Sequence, residues 1–198
     1  MWDSRYSEPG FAYGDGPNDF IAASFEHIPA GGPVLCLAGG EGRNAVFLAE
    51  QGFAVTVVDR SSVGLEKARA LAAARGTAIE TIHADLDGFL LGEGCWAGIV
   101  AVFAHLPPPV RRPLHRQVPA ALRPGGVLLM EAYRPEQLAH KTGGPPALPM
   151  LYTLDELVAD LAGLDWVRAA EVQREIHEGK YHHGQSATVQ LIGCRPAT

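Results

Sequence analysis

Short apolar runs alternate with segments of helical periodicity along most of this sequence, and this alternation limits the folds open to the chain. The runs are rich in Val, Leu, Ile and Ala, which is typical of strands buried on both faces of a sheet. Strand patterns occupy residues 33–38, 54–59, 78–85, 96–106 and 126–133, and helical patterns occupy residues 19–28, 43–52, 62–76, 153–163 and the later part of 109–126. Strands that alternate with helices form right-handed βαβ units, so the sequence predicts an α/β fold with a mostly parallel sheet covered by helices on both faces.

The last forty residues break this alternation. Two β-like runs, residues 166–179 and 185–195, are separated by only five residues, which leaves no room for a helix. They therefore have to pair as an antiparallel hairpin. Residues 134–150 contain the sequence TGGPP and are predicted to form a loop beside the fifth strand. We expect one domain over residues 1–198, with an N-terminal cap segment (1–30), a ligand-binding core (31–133) and a C-terminal part that carries the hairpin (134–198).

Composition narrows the class of protein further. A chain of 198 residues with 47% hydrophobic residues suits one domain with a sizeable core. Sixteen basic against 22 acidic residues give a net charge of −6 without a basic run, so no nucleic-acid partner is expected. The three cysteines lack the spacing of a disulfide framework or a zinc site. The absence of a secretory-signal pattern and of an apolar run of roughly 20 residues predicts a cytoplasmic location without membrane contact. No obligate protein partner is evident.

A glycine-rich loop follows the first strand pattern. Residues 40–45, GEGRNA, match the pattern G-x-G-x-x-G/A, and a helical pattern begins directly after the glycines. Asp59 ends the next strand pattern, 17 positions after Gly42, near the spacing of a carboxylate that binds ribose hydroxyls. Glycines let the backbone approach a ligand without a side-chain collision. This arrangement predicts a site for a nucleotide-like ligand.

Two ligands fit this loop at the level of sequence. A dinucleotide would place its pyrophosphate at the helix N-terminus, beside the acidic side chain of Glu41. S-adenosylmethionine carries a sulfonium cation and no phosphate, so an acidic loop is tolerable for it. Arg43 weakens this distinction, because its charge can offset that of Glu41. Both ligands therefore remain open on the loop alone.

The whole chain resembles a small class I S-adenosylmethionine-dependent methyltransferase, similar to the tellurite-resistance and thiopurine methyltransferase-like group. The matching stretches are WDSRY and YGDGPNDF near the N-terminus, LAGGEGRNAVFLA, VTVVDRSSVGLEKA, ADL, LRPGG and EGKYHHG. The resemblance implies a Rossmann-like sheet of seven strands in the order 3-2-1-4-5-7-6, with the last strand antiparallel. It also implies S-adenosylmethionine as the cofactor.

The same resemblance assigns the cofactor contacts. Gly40 and Gly42 would border the methionine end, Asp59 would hold the ribose, and Asp85 with Leu86 would contact the adenine. The full set of predicted cofactor-binding residues is Ala38, Gly39, Gly40, Gly42, Arg43, Asn44, Asp59, Arg60, Asp85, Leu86 and Phe103. One position departs from the family, because Cys36 stands where many class I methyltransferases carry an acidic residue in the first strand.

Candidate catalytic residues follow the strands, because ligands of open α/β sheets collect at the carboxyl ends of the strands. His105 follows the fourth strand and is predicted to act as a base or an orienting donor, and Tyr133 ends the fifth and is predicted to bind substrate. The tip of the hairpin reaches the same edge, which makes His182 a predicted catalytic residue and Tyr181 a predicted substrate-binding residue. His183 should point to the opposite face of the strand. No metal is expected, because no ligands lie at matching spacing.

The predicted function is S-adenosylmethionine-dependent methyl transfer to a small-molecule acceptor. Methyl transfer requires in-line positioning rather than a nucleophilic triad, so the lack of a triad does not count against an enzyme. An NAD(P)-dependent oxidoreductase and a non-catalytic protein that binds S-adenosylmethionine are the alternatives. The acceptor stays open: a thiolate or a selenium or tellurium oxyanion needs no base at neutral pH, whereas an alcohol or ammonium has to lose a proton.

Overall fold

A single seven-stranded sheet forms the centre of the computed structural model, which describes residues 1–197. The strand order is β3-β2-β1-β4-β5-β7-β6, with parallel pairing among β1 to β5 and antiparallel pairing of β7 with β5 and β6. The strands are β1 (Pro33–Leu37), β2 (Ala54–Asp59), β3 (Glu80–His83), β4 (Trp96–Val102), β5 (Leu122–Tyr133), β6 (Asp165–Glu178) and β7 (His182–Cys194). The predicted fold class, strand order and C-terminal hairpin are confirmed.

Helices cover both faces of this sheet. They are α1 (Trp2–Tyr6), α2 (Asp19–Ser24), α3 (Arg43–Glu50), α4 (Ser62–Ala74), α5 (Pro108–Ala121), α6 (Gln137–His140) and α7 (Leu154–Asp160). Alternate side chains of β1 enter the two cores: Leu35 packs with α5 and α7 on one face, and Val34 packs with α2, α3 and α4 on the other. Among residues 1–197, no helix combines the length and the apolar character needed to cross a membrane.

Helix α5 differs most from its sequence-based prediction. Because of its prolines, the segment 109–126 was predicted to be helical only toward its end. The observed helix starts at Pro108 and continues through Pro113 and Pro119. Tertiary contacts explain this continuity. The fully buried Arg111 donates from Nε to Asp160 of α7 at 2.8 Å and lies over the Tyr152 ring at 4.8 Å, which holds the first turns of α5 against the core.

Other boundaries differ by smaller amounts. Residues 134–150, predicted as a loop, contain the single turn of α6 and a 3₁₀ turn at Leu148–Met150. The helix predicted for residues 19–28 is α-helical only to Ser24 and continues as a 3₁₀ turn. The predicted helix starts hold well, because the side chain of Asn18 caps α2 and Thr153 forms a capping box with Glu156 at the start of α7.

The N-terminal segment before α2 is tied to the glycine loop and to α4. Lys67 of α4 donates to the carbonyl oxygens of Glu8 and Gly10 at 3.0 and 2.6 Å. The same ammonium forms an ion pair with Glu41, whose carboxylate also accepts the N–H of Ala12 at 2.7 Å. These contacts fix the segment that follows α1 against the glycine loop and α4.

Candidate functional site

The carboxyl ends of β1, β2 and β4 open into a cavity of about 490 Å³, a size within the roughly 300–1,000 Å³ of small-molecule sites. The glycine loop bounds one end, the turn between β6 and β7 together with residues 143–146 bounds the other, and α1 lies across it. Thirteen of the residues predicted for the site line this cavity: Ala38, Gly39, Gly40, Arg43, Asn44, Asp59, Arg60, Asp85, Leu86, Phe103, His105, Tyr181 and His182. Gly42 and Tyr133 lie behind its wall.

Two strand ends at the cavity carry an unusual backbone. Ala38 after β1 and Phe103 after β4 have φ values of 48° and 51°, in the left-handed region that side chains other than glycine rarely adopt. Such a conformation costs on the order of 1–3 kcal/mol and persists only where the surroundings impose it. Both residues line the cavity directly after the strands that they end.

The two loop glycines serve different purposes. Gly40 has φ 54°, and a Cβ there would lie 2.6 Å from the hydroxyl oxygen of Tyr6, so the small residue lets α1 approach the loop. Gly42 has φ 85°, and its Cβ would lie 2.6 Å from the Cβ of Ala68, so this glycine permits close packing of α3 against α4. Gly42 therefore shapes the loop without lining the cavity.

Asp59 lies at the cavity wall in a fixed orientation. Its two carboxylate oxygens accept the N–H groups of Gly40 and Ser61, each at 2.8 Å. Burial raises the pKa of Asp59, and these two N–H groups oppose that rise by stabilising the charged form. Because each carboxylate oxygen has a second lone pair, Asp59 can also accept hydrogen bonds from a vicinal diol such as ribose.

The predicted adenine contacts lie at the far side of Asp59. Asp85 is exposed, and its carboxylate lies 3.6 Å from the guanidinium of Arg60. Leu86 is buried and belongs to the main core. A carboxylate beside an apolar side chain suits the polar edge and the flat face of a purine ring.

Glu41 has no charge free to discriminate between ligands, in contrast to the argument from sequence. Its carboxylate is paired with Lys67 at 2.8 Å and holds the N-terminal segment. Cys36 is a buried neutral residue of β1, since burial raises the pKa of its thiol to about 12. The position therefore carries a small apolar side chain where an acidic one is common.

His182 stands at the opposite end of the cavity, surrounded by rings. Its imidazole centroid lies 4.5 Å from that of Tyr13, 4.7 Å from that of Phe103 and 5.3 Å from that of Tyr133. His182 is buried whereas His183 is exposed, as the predicted alternation along the strand requires. Burial lowers the pKa of His182, and the carboxylate of Glu178 partly opposes this change.

His105 is held by the backbone at both ring nitrogens. Its Nδ1 donates to the carbonyl of Met150 at 2.7 Å, and its Nε2 accepts the N–H of Tyr133 at 3.1 Å. Burial lowers the pKa of His105 to about 4, so the ring is neutral at physiological pH. Because neither nitrogen is free, the geometry gives His105 no lone pair with which to act as the predicted base. Its ring instead forms part of the cavity wall.

The two predicted substrate-binding tyrosines also have structural contacts. Tyr133 is fully buried and stacks on Phe103 with a centroid distance of 4.4 Å, which places it behind the cavity wall. Tyr181 lines the cavity, but its hydroxyl donates to Glu8 at 2.6 Å, and the guanidinium of Arg5 lies over its ring at 4.6 Å. Tyr181 thus connects the hairpin to the N-terminal segment.

A buried charge network lies directly behind His182. Glu178 is 6% exposed; its Oε2 accepts from Arg43 at 2.6 Å, and its Oε1 accepts from Asn18 at 2.8 Å. Asn18 also donates to the fully buried Glu131 at 2.6 Å, which accepts two hydrogen bonds from Arg174 at 2.7 and 2.9 Å. The carboxylates of Glu178 and Glu131 are thus neutralised by the guanidiniums of Arg43 and Arg174, because a buried charge without a partner is costly.

Several cavity residues had no counterpart in the sequence-based prediction. Trp2, Arg5, Tyr6 and Tyr13 of the N-terminal segment line the cavity, and Glu178 approaches His182 from behind. The aromatic residues before the first strand were the available signal for the first group. Within residues 1–197, no group of three or more metal-ligating side chains comes together.

Comparisons with known proteins agree with this fold. Residues 34–126 match a family model described as a methyltransferase domain. A structure solved in work on the conversion of a disulfide bond into a thioacetal group during echinomycin biosynthesis is 20% identical, with a TM-score of 0.77 and coverage of 100% of this chain and 92% of that one. A search of curated proteins returned no match.

Two further structures are similar. TehB from Haemophilus influenzae is 18% identical, with a TM-score of 0.72 over 89% of this chain and 61% of that one. An S-adenosylmethionine-dependent methyltransferase from Methanosarcina mazei is 16% identical, with a TM-score of 0.69 over 88% of this chain and 97% of that one. Residues 34–126, just under half of the chain, thus match a methyltransferase domain, and the whole chain has the fold of the solved methyltransferase structures; S-adenosylmethionine is the cofactor that this match implies.

Proposed function

We propose that this domain transfers a methyl group from S-adenosylmethionine to a small-molecule acceptor bound beside His182. The observation that carries this proposal is the extent of the cavity, which runs from the glycine loop and Asp59 to the turn between β6 and β7. The acceptor end is enclosed by Tyr13, Tyr181 and residues 143–146, which favours a small molecule over a segment of a macromolecule.

The cofactor half of the cavity receives its proposed contacts from the ends of β1, β2 and β3. Asp59 would accept the ribose hydroxyls, and Asp85 with Leu86 would border the adenine. The backbone from Ala38 to Gly40 would lie along the methionine end, with Arg43 and Asn44 at the start of α3 beyond it. When bound, S-adenosylmethionine supplies a methyl group attached to a positively charged sulfur. The remaining requirements, alignment and exclusion of water, fall to the protein.

In the acceptor half, the proposed catalytic residue is His182. Its ring lines the cavity and is fixed among Tyr13, Phe103 and Tyr133. Gly143 lies so close that a Cβ there would be 2.8 Å from His182 Cδ2, so residues 143–146 close this end tightly. His105 is proposed to shape the wall and to hold the backbone of Tyr133, because both of its nitrogens are engaged.

A screen for methyl transfer tests this function. The protein would be incubated with S-adenosylmethionine carrying a labelled methyl group and a library of thiols, phenols, amines and metalloid oxyanions, and labelled products would be identified by mass spectrometry. Transfer to a small molecule that His182→Ala reduces supports the proposal. Binding of S-adenosylmethionine without transfer to any acceptor would instead favour a non-catalytic binding protein.

The setting proposed for this enzyme is the cytoplasm. All three cysteines, Cys36, Cys95 and Cys194, are free thiols, which supports a reducing compartment. The net charge of −6 supports the proposal that nucleic acid is not a partner.

A further inference from the structure

Glu178 occupies a position that cofactor binding does not explain. It ends β6 directly opposite His182, the first residue of β7, and its Oε2 lies 3.6 Å from His182 Nδ1. Asn18 and Arg43 hold the same carboxylate from two other elements, so it cannot turn away. An ionised carboxylate fixed behind a cavity-lining histidine is an arrangement that orients the imidazole.

The surroundings of Nδ1 determine the tautomer of His182. Nδ1 is sealed from solvent, and the Glu178 carboxylate is the polar group that faces it in the described chain. A buried N–H beside a carboxylate is favoured over two facing lone pairs, so the proton of the neutral ring belongs on Nδ1. Nε2 then carries the free lone pair. This atom forms no hydrogen bond with residues 1–197 and, unlike Nδ1, it is not buried from solvent.

The charges around His182 favour a neutral ring that can still gain a proton. Burial lowers its pKa, so the ring is available as a base at neutral pH, and Glu178 stabilises the imidazolium once it forms. The titratable and charged groups that face His182 from the packed elements are Arg5, Tyr13, Arg43, His105, Tyr133 and Glu178. Arg43 opposes protonation of His182, but its guanidinium is bound to Glu178.

We propose that Glu178 is a positioning residue that makes His182 a general base, and that the acceptor is therefore a neutral X–H nucleophile, such as a thiol or a phenol, rather than a preformed oxyanion. This inference rests on the proposed methyl transfer. The lone pair of X forms the new bond to the methyl carbon, and the electron pair of the broken S–C bond stays on sulfur as a neutral thioether. His182 Nε2 takes the proton from X and releases it to solvent after the product leaves. An oxyanion acceptor would give this proton-accepting pair no role.

A spectroscopic test examines the dyad without requiring an acceptor. In ¹⁵N-labelled protein bound to S-adenosylhomocysteine, the long-range ¹⁵N–¹H pattern of His182 should show a proton on Nδ1 and a bare Nε2 at neutral pH. Glu178→Gln should lower the pKa of His182, because a nearby opposite charge is removed. Glu175→Gln is the matched control, since Glu175 is an exposed carboxylate on the same strand, and it should leave the His182 pattern unchanged. A proton on Nε2 in the wild-type protein would overturn the proposal.

An activity test examines the acceptor class. Thiophenol and phenol suit the ring-lined end of the cavity and differ in acidity, while tellurite and selenite need no proton removed. The wild-type protein should methylate the aromatic acceptors, and Glu178→Gln should slow transfer to phenol about tenfold or more, with a smaller loss for the more acidic thiophenol. His182→Phe should give the same order of losses, and it provides a second variant should Glu178→Gln fail to fold.

The possible outcomes separate this inference from the proposed function. Transfer to tellurite or selenite alone would leave methyl transfer intact and overturn the proposed acceptor class. No transfer to either aromatic probe would also count against that class. Equal losses for phenol and thiophenol in both variants would show that Glu178 and His182 act on the structure rather than on the proton. Unchanged binding of S-adenosylhomocysteine by each variant, measured by calorimetry, confirms that the cofactor half is intact.

Discussion

Replacing Glu178 by Gln should reduce the amount by which the free energy of unfolding falls as the pH is lowered. Burial alone would raise the pKa of this carboxyl, but the facing imidazole of His182 and the hydrogen-bonded guanidinium of Arg43 lower it from 4.5 to about 2. A group whose pKa is depressed by folding stabilises the folded state at pH values above its unfolded pKa. That stabilisation is lost as the pH falls from 4.5 toward 2.

The size of the effect follows from this shift. Each pKa unit corresponds to about 1.4 kcal/mol, so the move from 4.5 to about 2 contributes about 3 kcal/mol at neutral pH. About 2 kcal/mol of this stabilisation should be gone by pH 3. Glu178→Gln removes the titrating carboxyl, so the variant should start less stable at pH 7 and lose correspondingly less between pH 7 and pH 3.

Urea unfolding at a series of pH values between 7 and 3 measures this difference. The wild-type and Glu178→Gln curves of unfolding free energy should converge by about 2 kcal/mol as the pH falls. Glu175→Gln, which changes an exposed carboxylate on the same strand, should follow the wild-type curve. Parallel curves for the wild-type protein and Glu178→Gln would refute the argument that Arg43 and His182 hold Glu178 ionised.

Three further predictions concern the cavity. Asp59→Ala should weaken the binding of S-adenosylmethionine by about 1–3 kcal/mol in calorimetry, as expected for loss of a charged acceptor, and unchanged affinity in a folded variant would remove Asp59 from the site. Gly40→Val should weaken this binding more than Asp59→Ala does, because a Cβ would lie 2.6 Å from the hydroxyl of Tyr6 and the backbone has φ 54°; retained affinity would place the cofactor elsewhere. His182→Ala should lower the rate of methyl transfer about tenfold or more with little change in cofactor affinity, whereas His183→Ala should behave as wild type, and equal near-wild-type rates would contradict the assigned role.

The fold could be predicted from the sequence because local patterns determine most of it. Apolar runs of five to seven residues can be buried only inside a covered sheet, and the absence of a helix between β6 and β7 requires a hairpin. The exposure of His183 beside the buried His182 also follows from simple alternation along a strand. Helix α5 was predicted less well, because its residue Arg111 is held by Asp160, which lies 49 positions further along the chain.

The site was harder to predict because its key contacts join distant segments. The sequence suggests that the acidic side chain of Glu41 faces the ligand, yet Lys67 of α4 neutralises it. His105 reads as a free histidine at a strand end, yet Met150 lies 45 positions away and occupies one of its nitrogens. Glu178 lies 135 positions from Arg43, so no local pattern indicates their ion pair.

Parallel calorimetric titration of the wild-type protein with S-adenosylmethionine, S-adenosylhomocysteine, NAD and NADP tests the central claim most directly. The structure and the family match predict one site per chain for S-adenosylmethionine and for S-adenosylhomocysteine, and no binding of NAD or NADP. In the same experiment, Gly40→Val should abolish the heat of S-adenosylmethionine binding while the variant remains folded. Binding of NAD or NADP in preference to S-adenosylmethionine would contradict the account.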